Sequence, residues 1–215
     1  MPIIGGFPAG DFHNSDQVPT FTNQPIGKMP KTKTSREEIL RATWAEFHRT
    51  GYADTSLQQL ANAAGLGKAG LLHHFGSKEG LMRAVIEFVD NWYGDNVLAM
   101  VDEPGTVEER LERFLRRHLH FCQLNDGGGC FFANMILETG VTGQFAPTLQ
   151  NFHAGWEAAM IRLLSERFPA EEARERTYRL FADYQGSVVL FKLYRDPVHL
   201  ERLVTRSIRG LQHPI

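Results

Sequence analysis

The sequence predicts an all-α fold, and two observations carry this prediction. From Ser35 onward, apolar residues recur at the three- and four-residue steps of a helix. In contrast, no stretch alternates apolar and polar residues as a half-buried strand does. With 215 residues, 42% hydrophobic and 22% charged, the chain is long enough to bury a core without metal or disulfide support.

Several classes of protein are disfavoured by the same composition. No run approaches the roughly 18 apolar residues that a membrane span needs, and the first residues lack the pattern of a secretory signal. Two cysteines, Cys122 and Cys130, are too few for a disulfide framework. We therefore expect a cytoplasmic protein without a membrane partner.

The N-terminal segment differs from the rest of the chain. Residues 1–28 are rich in glycine and proline, contain no leucine and show no helical period. We expect residues 1–32 to form a disordered tail. The sequence leaves open whether Met29 is the initiator or the tail is a genuine extension.

Start and stop signals divide the remainder into helices. Ser35 to Glu38 and Thr55 to Gln58 have the spacing of capping boxes, and Gly51 is expected to end the first helix. Asp196 and Pro197 form a start signal for the last helix. The predicted helices cover residues 35–50, 55–64, 68–75, 77–92, 107–122, 130–138, 149–163, 171–194 and 196–211.

Residues 56–75 have the pattern of two short helices joined by a glycine turn. A steep crossing needs a small residue at the contact, Ala61, and a turn residue that tolerates positive φ, Gly65. Leu66 then supplies an apolar plug. A protruding second helix would present short and polar groups to base edges and basic groups to phosphates. An ordinary helical hairpin has the same spacing.

Charge is distributed unevenly along the chain. Residues 28–83 contain nine Lys and Arg against five Asp and Glu, whereas residues 84–215 contain 14 against 18. The whole chain has a formal net charge of −2. A basic segment followed by an acidic one is typical of a nucleic-acid-binding module joined to a second domain, but chance scatter of charges gives the same split, and the split alone does not decide between them.

Residues 33 to 93 resemble the N-terminal DNA-binding domain of the TetR family of transcriptional regulators. The resemblance implies a three-helix DNA-binding head with a helix-turn-helix at 56–75, followed by a larger helical ligand-binding and dimerisation body at 94–215. The residues that carry it are Ile39, Leu40, Ala42, Phe47, Gly51, Tyr52, Thr55, Ser56, Leu57, Leu60, Ala61, Ala64, Gly65, Leu66, Leu71, His74, Phe75, Ser77, Lys78, Glu79 and Leu81.

Site residues follow from position within this resemblance. It implies that Thr55 caps the second helix and that its hydroxyl, or that of Ser56, meets a phosphate. Lys78 would add its charge to the N-terminus of the next helix. The expected DNA-binding residues are Thr55, Ser56, Gly67, Lys68, Ala69, Gly70, His73, His74 and Lys78.

The chain departs from the family at three of these positions. The family commonly has Ser or Thr at Gly67 and Gly70, and Tyr at Leu72. Two hydroxyl contacts and one aromatic contact to DNA are thus absent, and each glycine costs about 1 kcal/mol of helix stability relative to Ala. We expect weak non-cognate DNA binding that falls steeply with salt.

The body offers candidates for an effector pocket, which is typically apolar with few polar groups. For any one of these side chains a plain core position is the more common role. His118 and Gln185 are the polar groups expected to point inward, where a bonded buried polar residue is more common than a ligand contact. The pocket candidates are Phe114, His118, Phe121, Cys130, Phe131, Met135, Phe152, Trp156, Phe181, Tyr184 and Gln185.

Cys130 begins a predicted helix, where N–H groups favour a thiolate. A redox or electrophile sensor and a small core residue are both compatible with that position. A metal site built from His118, His120 and Cys122 is disfavoured, because His120 and Cys122 point apart on a helix and no second cluster completes four ligands. We expect no metal and no cofactor.

The helix at 171–194 has two apolar faces, so one must pack on something beyond its own core. With 197–211 it is expected to form a homodimer, which would pair two heads on palindromic double-stranded DNA. The resemblance therefore implies a ligand-responsive repressor, released by a small apolar effector.

Two other functions remain as alternatives. A helical adaptor would use the apolar face of residues 171–194 to bind another protein. An enzyme with a helical body is disfavoured, since no catalytic arrangement appears at useful spacing and Glu138 and Asp183 look like isolated acids.

Overall fold

The computed structural model describes residues 34–140 and 142–213. The predicted tail at 1–32 lies outside the described residues. Within the described ranges the chain is all-α and contains no strand. Its helices are α1 (Arg36–Thr50), α2 (Leu57–Ala63), α3 (Lys68–Phe75), α4 (Lys78–Asn96), α5 (Val107–Gly127), α6 (Phe131–Thr139), α7 (Ala146–Ser165), α8 (Ala170–Tyr194) and α9 (Val198–Gly210).

Capping explains where most of these helices begin. Ser35 and Glu38 form the predicted capping box of α1, and Thr106 with Glu109 forms another at α5. Ser77 Oγ accepts the backbone N–H of Gly80 at 2.9 Å and thereby starts α4. A 3₁₀ turn at Leu98–Asp102, which the sequence did not predict, connects α4 to α5.

The head, residues 34–93, consists of α1 to α3 packed against α4. Ile39 and Phe47 of α1 are buried, as are Leu60 of α2 and Leu71 of α3. The predicted boundary at 93/94 falls within the last turn of α4, which continues to Asn96. Helix α4 therefore runs from the head into the body without a linker.

The body, residues 94–213, is a bundle in which α8 packs against both α7 and α9, while α5 packs on α9. The apolar side of α9, with Leu200, Leu203 and Val204, is buried in this bundle. Regular α5 geometry ends before Leu124, whose ψ is 162°. The predicted loop at 125–129 is thus confirmed, although its first residues are nominally part of α5.

Candidate nucleic-acid interface

The segment from α2 to α3 has helix-turn-helix geometry. Gly65 adopts φ +66° in the turn, and the Leu66 backbone N–H donates to Ala61 O at 2.8 Å. Ala61 is fully buried where the two helices meet. Ala61, Gly65 and Leu66 thus occupy the places that a steep crossing of two helices requires.

Helix α3 presents an exposed, acid-free surface. Lys68, Ala69, His73 and His74 are exposed, as is Gly67 at the N-cap, whereas Gly70 is half-buried against Leu66. Residues 55–78 contain no Asp or Glu. The positive charge of Lys68 and the short side chain of Ala69 are therefore available to a polyanion.

The cap of α2 differs by one residue from the prediction. Ser56, not Thr55, is the N-cap: its Oγ accepts the Gln59 N–H at 3.2 Å, and Gln59 Oε1 accepts the Ser56 N–H at 2.8 Å. Thr55 is 1% exposed, and its hydroxyl donates to Gly51 O. The expected phosphate contact of Thr55 is incompatible with this burial, so Ser56 is the hydroxyl that remains exposed.

Lys78 lies along the loop between α1 and α2 in this structure. Its Nζ donates to Ala53 O at 3.3 Å and lies 4.6 Å from the centroid of the Tyr52 ring. Burial lowers the pKa of Lys78, against the attraction of Glu138. In this conformation the charge is held at the loop between α1 and α2, and the expected phosphate contact of Lys78 stays a prediction.

Arg36 lies beside α3, a position that was not predicted from the sequence. Its guanidinium lies 4.8 Å from the centroid of the Phe75 ring, at the end of α3. Arg36 is exposed at the first position of α1. A basic residue at a helix start is unremarkable in sequence, and only the fold brings it beside α3.

The body core is built around His118. Its Nδ1 lies 2.6 Å from Tyr93 Oη and its Nε2 lies 2.6 Å from Tyr184 Oη. A neutral imidazole donates from one nitrogen and accepts at the other, so one phenol accepts and the other donates. Burial lowers the pKa of His118 to about 3. His118 is therefore a neutral, fully bonded core residue.

Most of the predicted pocket residues fill this core instead of lining a space. Phe114 packs edge-on to His118, with ring centroids 5.7 Å apart, and Phe152 stacks on Phe132. Phe121 packs on Trp92, and Gln185 is half-buried. The prediction of one pocket lined by all of them is wrong, because aromatic rings pack on one another. The members buried in the core are Phe114, His118, Cys130, Phe131, Met135, Phe152, Trp156 and Tyr184.

The two thiols lie in the same core. Cys122 Sγ is 3.3 Å from Tyr184 Oη, and Cys130 Sγ accepts the Ala133 N–H at 3.4 Å as the N-cap of α6. Burial raises the pKa of Cys130 despite this helix N-terminus. Desolvation thus outweighs the helix dipole, and Cys130 has the environment of a small core residue.

An open cleft lies between α6, α7 and α8. It encloses about 340 Å³, within the range of small-molecule sites. Phe181 is the predicted pocket residue that lines it, and His153 packs edge-on to Phe181 with centroids 4.4 Å apart. The full lining is Ile136, Thr139, Gly140, Ala146, Leu149, Gln150, His153 and Phe181.

An exposed apolar face runs along α8. Tyr178, Val189 and Leu193 are 70%, 56% and 67% exposed, and the residues between them, Ala182 and Gly186, are small and exposed as well. The opposite side of α8 is buried in the body. The second apolar face predicted from the sequence is thus present and uncovered in the single chain.

Among residues 34–140 and 142–213, no three His, Cys, Asp or Glu side chains are grouped so as to hold a metal ion. No helix in that part of the chain has the length and hydropathy of a membrane span.

Comparison with known sequences points to one family. Residues 39–85 match the model described as "Bacterial regulatory proteins, tetR family". The chain is 29% identical over 135 residues to the HTH-type transcriptional repressor ComR of Escherichia coli, covering 61% of this chain and 64% of ComR. It is 30% identical over 100 residues to the nucleoid occlusion factor SlmA of Aliivibrio fischeri, covering 46% and 50%. The chain thus matches less than two thirds of the length of either relative.

Comparison with solved structures shows the same fold. A TetR transcriptional regulator from Legionella pneumophila superposes with a TM-score of 0.76 at 19% identity, over 84% of this chain and 99% of that one. At this identity the likeness concerns the fold alone. The family model thus covers the helix-turn-helix segment, and the structural comparison extends the likeness of fold to the helical body.

Proposed function

Because the chain belongs to the TetR family of bacterial regulatory proteins, we propose that it is a ligand-responsive transcriptional repressor. It binds a palindromic operator as a homodimer and is released by a small apolar effector. The observation that carries the proposal is the exposed surface of α3, where Lys68 and Ala69 face solvent in a stretch free of acidic residues. The DNA-contacting residues proposed are Ser56, Gly67, Lys68, Ala69, Gly70, His73 and His74.

Selection of bound duplexes from a random pool tests DNA recognition. The proposal predicts enrichment of an inverted repeat, with half-site centres about one helical turn or a multiple of it apart. The Lys68→Ala variant should bind the selected duplex more weakly, while Arg174→Ala, an exposed arginine paired with Glu171 on α8, should bind as the wild type does. Enrichment of no motif would favour the protein-binding adaptor.

A second copy of the chain is the proposed occupant of the apolar face of α8. The small residues Ala182 and Gly186 at its centre let two helices approach closely, and a two-fold axis pairs the face with itself. Helix α9 has one large apolar side chain that is exposed, Val198 at its start, which is 37% exposed. The interface expected over 171–194 and 197–211 is therefore proposed to be centred on α8.

Sedimentation velocity tests this interface. Val189→Glu places a charge on this face, next to Gly186, and should convert dimer to monomer. Leu137→Glu is the matched control, because Leu137 is a more exposed leucine, at 76%, on α6. Dimerisation that survives the Val189 change, or that is lost equally in both variants, would contradict an interface on α8.

The proposed effector site is the cleft between α6, α7 and α8. Its lining is mainly apolar and its one titratable side chain is His153, so a neutral aromatic molecule suits it. One wall is α6, whose Glu138 bonds to the head at Ala53. An occupant that shifts α6 would therefore change the contact between body and head.

The neutral fluorophore N-phenyl-1-naphthylamine is a suitable probe for the cleft. Wild-type protein should bind it saturably, and Ala146→Phe should abolish this binding because Ala146 lines the cleft. Ala154→Phe, on an exposed part of α7, should leave it intact. Equal binding to both variants would show that the probe sits elsewhere.

A further inference from the structure

The segment between α5 and α6, residues 124–129, has an unusual backbone. Asn125, Asp126 and Gly127 adopt φ values of +51°, +62° and +69° in succession. Asn, Asp and Gly are the residues that adopt this left-handed conformation most readily, so the sequence permits the turn, and contacts from two other helices hold it in place. We call residues 124–129 the glycine loop.

His48 of α1 holds the glycine loop from the head. Gly129 O can only accept, and it lies 2.7 Å from His48 Nε2, which therefore carries the proton. His48 Nδ1 then accepts from Asn125 Nδ2 at 2.9 Å. Burial lowers the pKa of His48 to about 4, consistent with this neutral tautomer. Both ring nitrogens are thus committed to the loop.

Gly128 brings the loop into close contact with α1. A Cβ at Gly128 would lie 2.7 Å from His48 O and 2.9 Å from His48 Nε2. Its φ of −58° is ordinary, so the requirement for glycine is one of space. The glycine loop therefore cannot shift toward α1, and a movement of α1 displaces the loop as well.

Arg195 holds the same loop from the end of α8. Its guanidinium donates to Asp126 O and, at 2.9 Å, to Gly127 O. Phe191, one turn earlier, approaches the position of a Cβ on Gly127 to 3.4 Å. Arg195 itself caps α8 with φ +56°. The end of the helix proposed to form the dimer is therefore bonded to the loop that grips α1.

We infer that His48 and Arg195 are positioning residues that fix the angle between the DNA-binding head and the dimer helix α8 through the glycine loop. This inference rests on the proposed function, since the spacing of two heads matters only in a dimer on two half-sites. The route from α8 to α1 is separate from the contact of α6 with the loop between α1 and α2. By fixing this angle, the route from α8 to α1 sets the number of base pairs between half-sites that the dimer accepts.

The Arg195→Asn variant tests the inference at an exposed position. Asparagine tolerates the left-handed conformation but is too short to reach Asp126 O or Gly127 O. The selected duplex and one with its spacer lengthened by one base pair are compared by fluorescence anisotropy. The wild type should prefer the selected spacer, and this preference should fall about tenfold in the variant, with single half-site affinity within twofold of the wild type.

Controls separate positioning from folding. Arg195→Lys should restore part of the spacer preference, and Arg174→Ala should leave it unchanged. His48→Phe, which keeps a ring on Trp44 but removes both hydrogen bonds, should lower the preference as Arg195→Asn does. Arg195→Asn should remain dimeric in sedimentation velocity.

Two results distinguish failure of the inference from failure of the proposed function. Unchanged spacer preference in Arg195→Asn, or a parallel loss of half-site and full-site affinity, would overturn the positioning role alone. A wild-type protein with no preference for paired half-sites would remove the proposed function, and the inference with it.

Discussion

Ala53 and Glu138 join the head to the body: the Ala53 backbone N–H donates to Glu138 Oε2 at 3.0 Å. Ala53 lies in the loop between α1 and α2, and Glu138 lies in the last turn of α6. Gly51 approaches so closely that a Cβ there would be 2.5 Å from Glu138 Oε1. Glu138, which looks like an isolated acid in the sequence, is therefore a structural contact between two helical units.

The Glu138→Ala change should loosen the loop between α1 and α2. A hydrogen bond to a carboxylate at an exposed site contributes about 1 kcal/mol, so exchange of the Ala53 amide should become about fivefold faster. Amide hydrogen exchange followed by NMR measures this directly. Exchange at Ala53 that is as slow as in the wild type would show that Glu138 does not hold the loop.

Lys68 should contribute a salt-dependent share of DNA affinity. Each phosphate contact that is lost lowers the slope of log affinity against log salt by about one unit. Lys68→Ala should therefore weaken binding most at low salt and reduce this slope, as measured by anisotropy titrations at several salt concentrations. The same slope in wild type and variant would place Lys68 away from the phosphates.

The free energy of unfolding should decrease as the pH drops below about 6.5, because His118 is buried in its neutral form. Its folded pKa of about 3 lies below the unfolded value of about 6.5, so the unfolded chain binds more protons and acid favours unfolding. The groups bonded to its ring nitrogens are the hydroxyls of Tyr93 and Tyr184, and Cys122 Sγ lies 3.9 Å from its backbone carbonyl oxygen. At pH 5 the loss from His118 is about 2 kcal/mol, and His48 acts in the same direction.

Urea unfolding between pH 5 and 6.5 measures this dependence over a range in which most carboxylates stay largely ionised. In His118→Gln the unfolding free energy should change less steeply with pH than in the wild type. The exposed His73 provides the control, and His73→Gln should keep the wild-type steepness. A wild-type unfolding free energy that is flat over this range would contradict the buried neutral histidines.

Gly128 should tolerate no side chain. The Cβ of Gly128→Ala would meet the backbone and ring of His48, and overpacking of this kind costs about 1–3 kcal/mol. Gly155→Ala is the matched control, since Gly155 is helical with open space around it and should gain up to about 1 kcal/mol. Urea unfolding of both variants distinguishes them, and equal stability would argue against close contact at Gly128.

Much of the fold was predictable because helices are encoded locally. The periodic apolar positions predicted each helix, and cap residues such as Ser35 and Ser77 predicted where several helices begin. The error at Thr55 arose because two adjacent hydroxyls have similar spacing to Gln58 and Gln59. Only tertiary contact decides which hydroxyl is buried, and a sequence does not record it.

The site was less predictable where long-range contacts set the outcome. Lys78, Glu138 and Arg36 each contact a segment that is distant in the sequence and is brought close only by the fold. A pocket and a core have the same composition, so the aromatic residues around His118 could not reveal that they pack on each other. His48 was not singled out at all, since its partners lie about 80 residues away.

The most direct test of the account is the location of α3 on DNA. Cys122 and Cys130 are buried, so an iron–EDTA cleavage reagent can be attached selectively at Ala69→Cys. The account predicts two clusters of backbone cleavage, symmetric about the centre of the selected duplex and facing successive major grooves, and no cleavage from a reagent at Ala154→Cys. Absent or unlocalised cleavage from position 69 would contradict the central claim that α3 reads the operator.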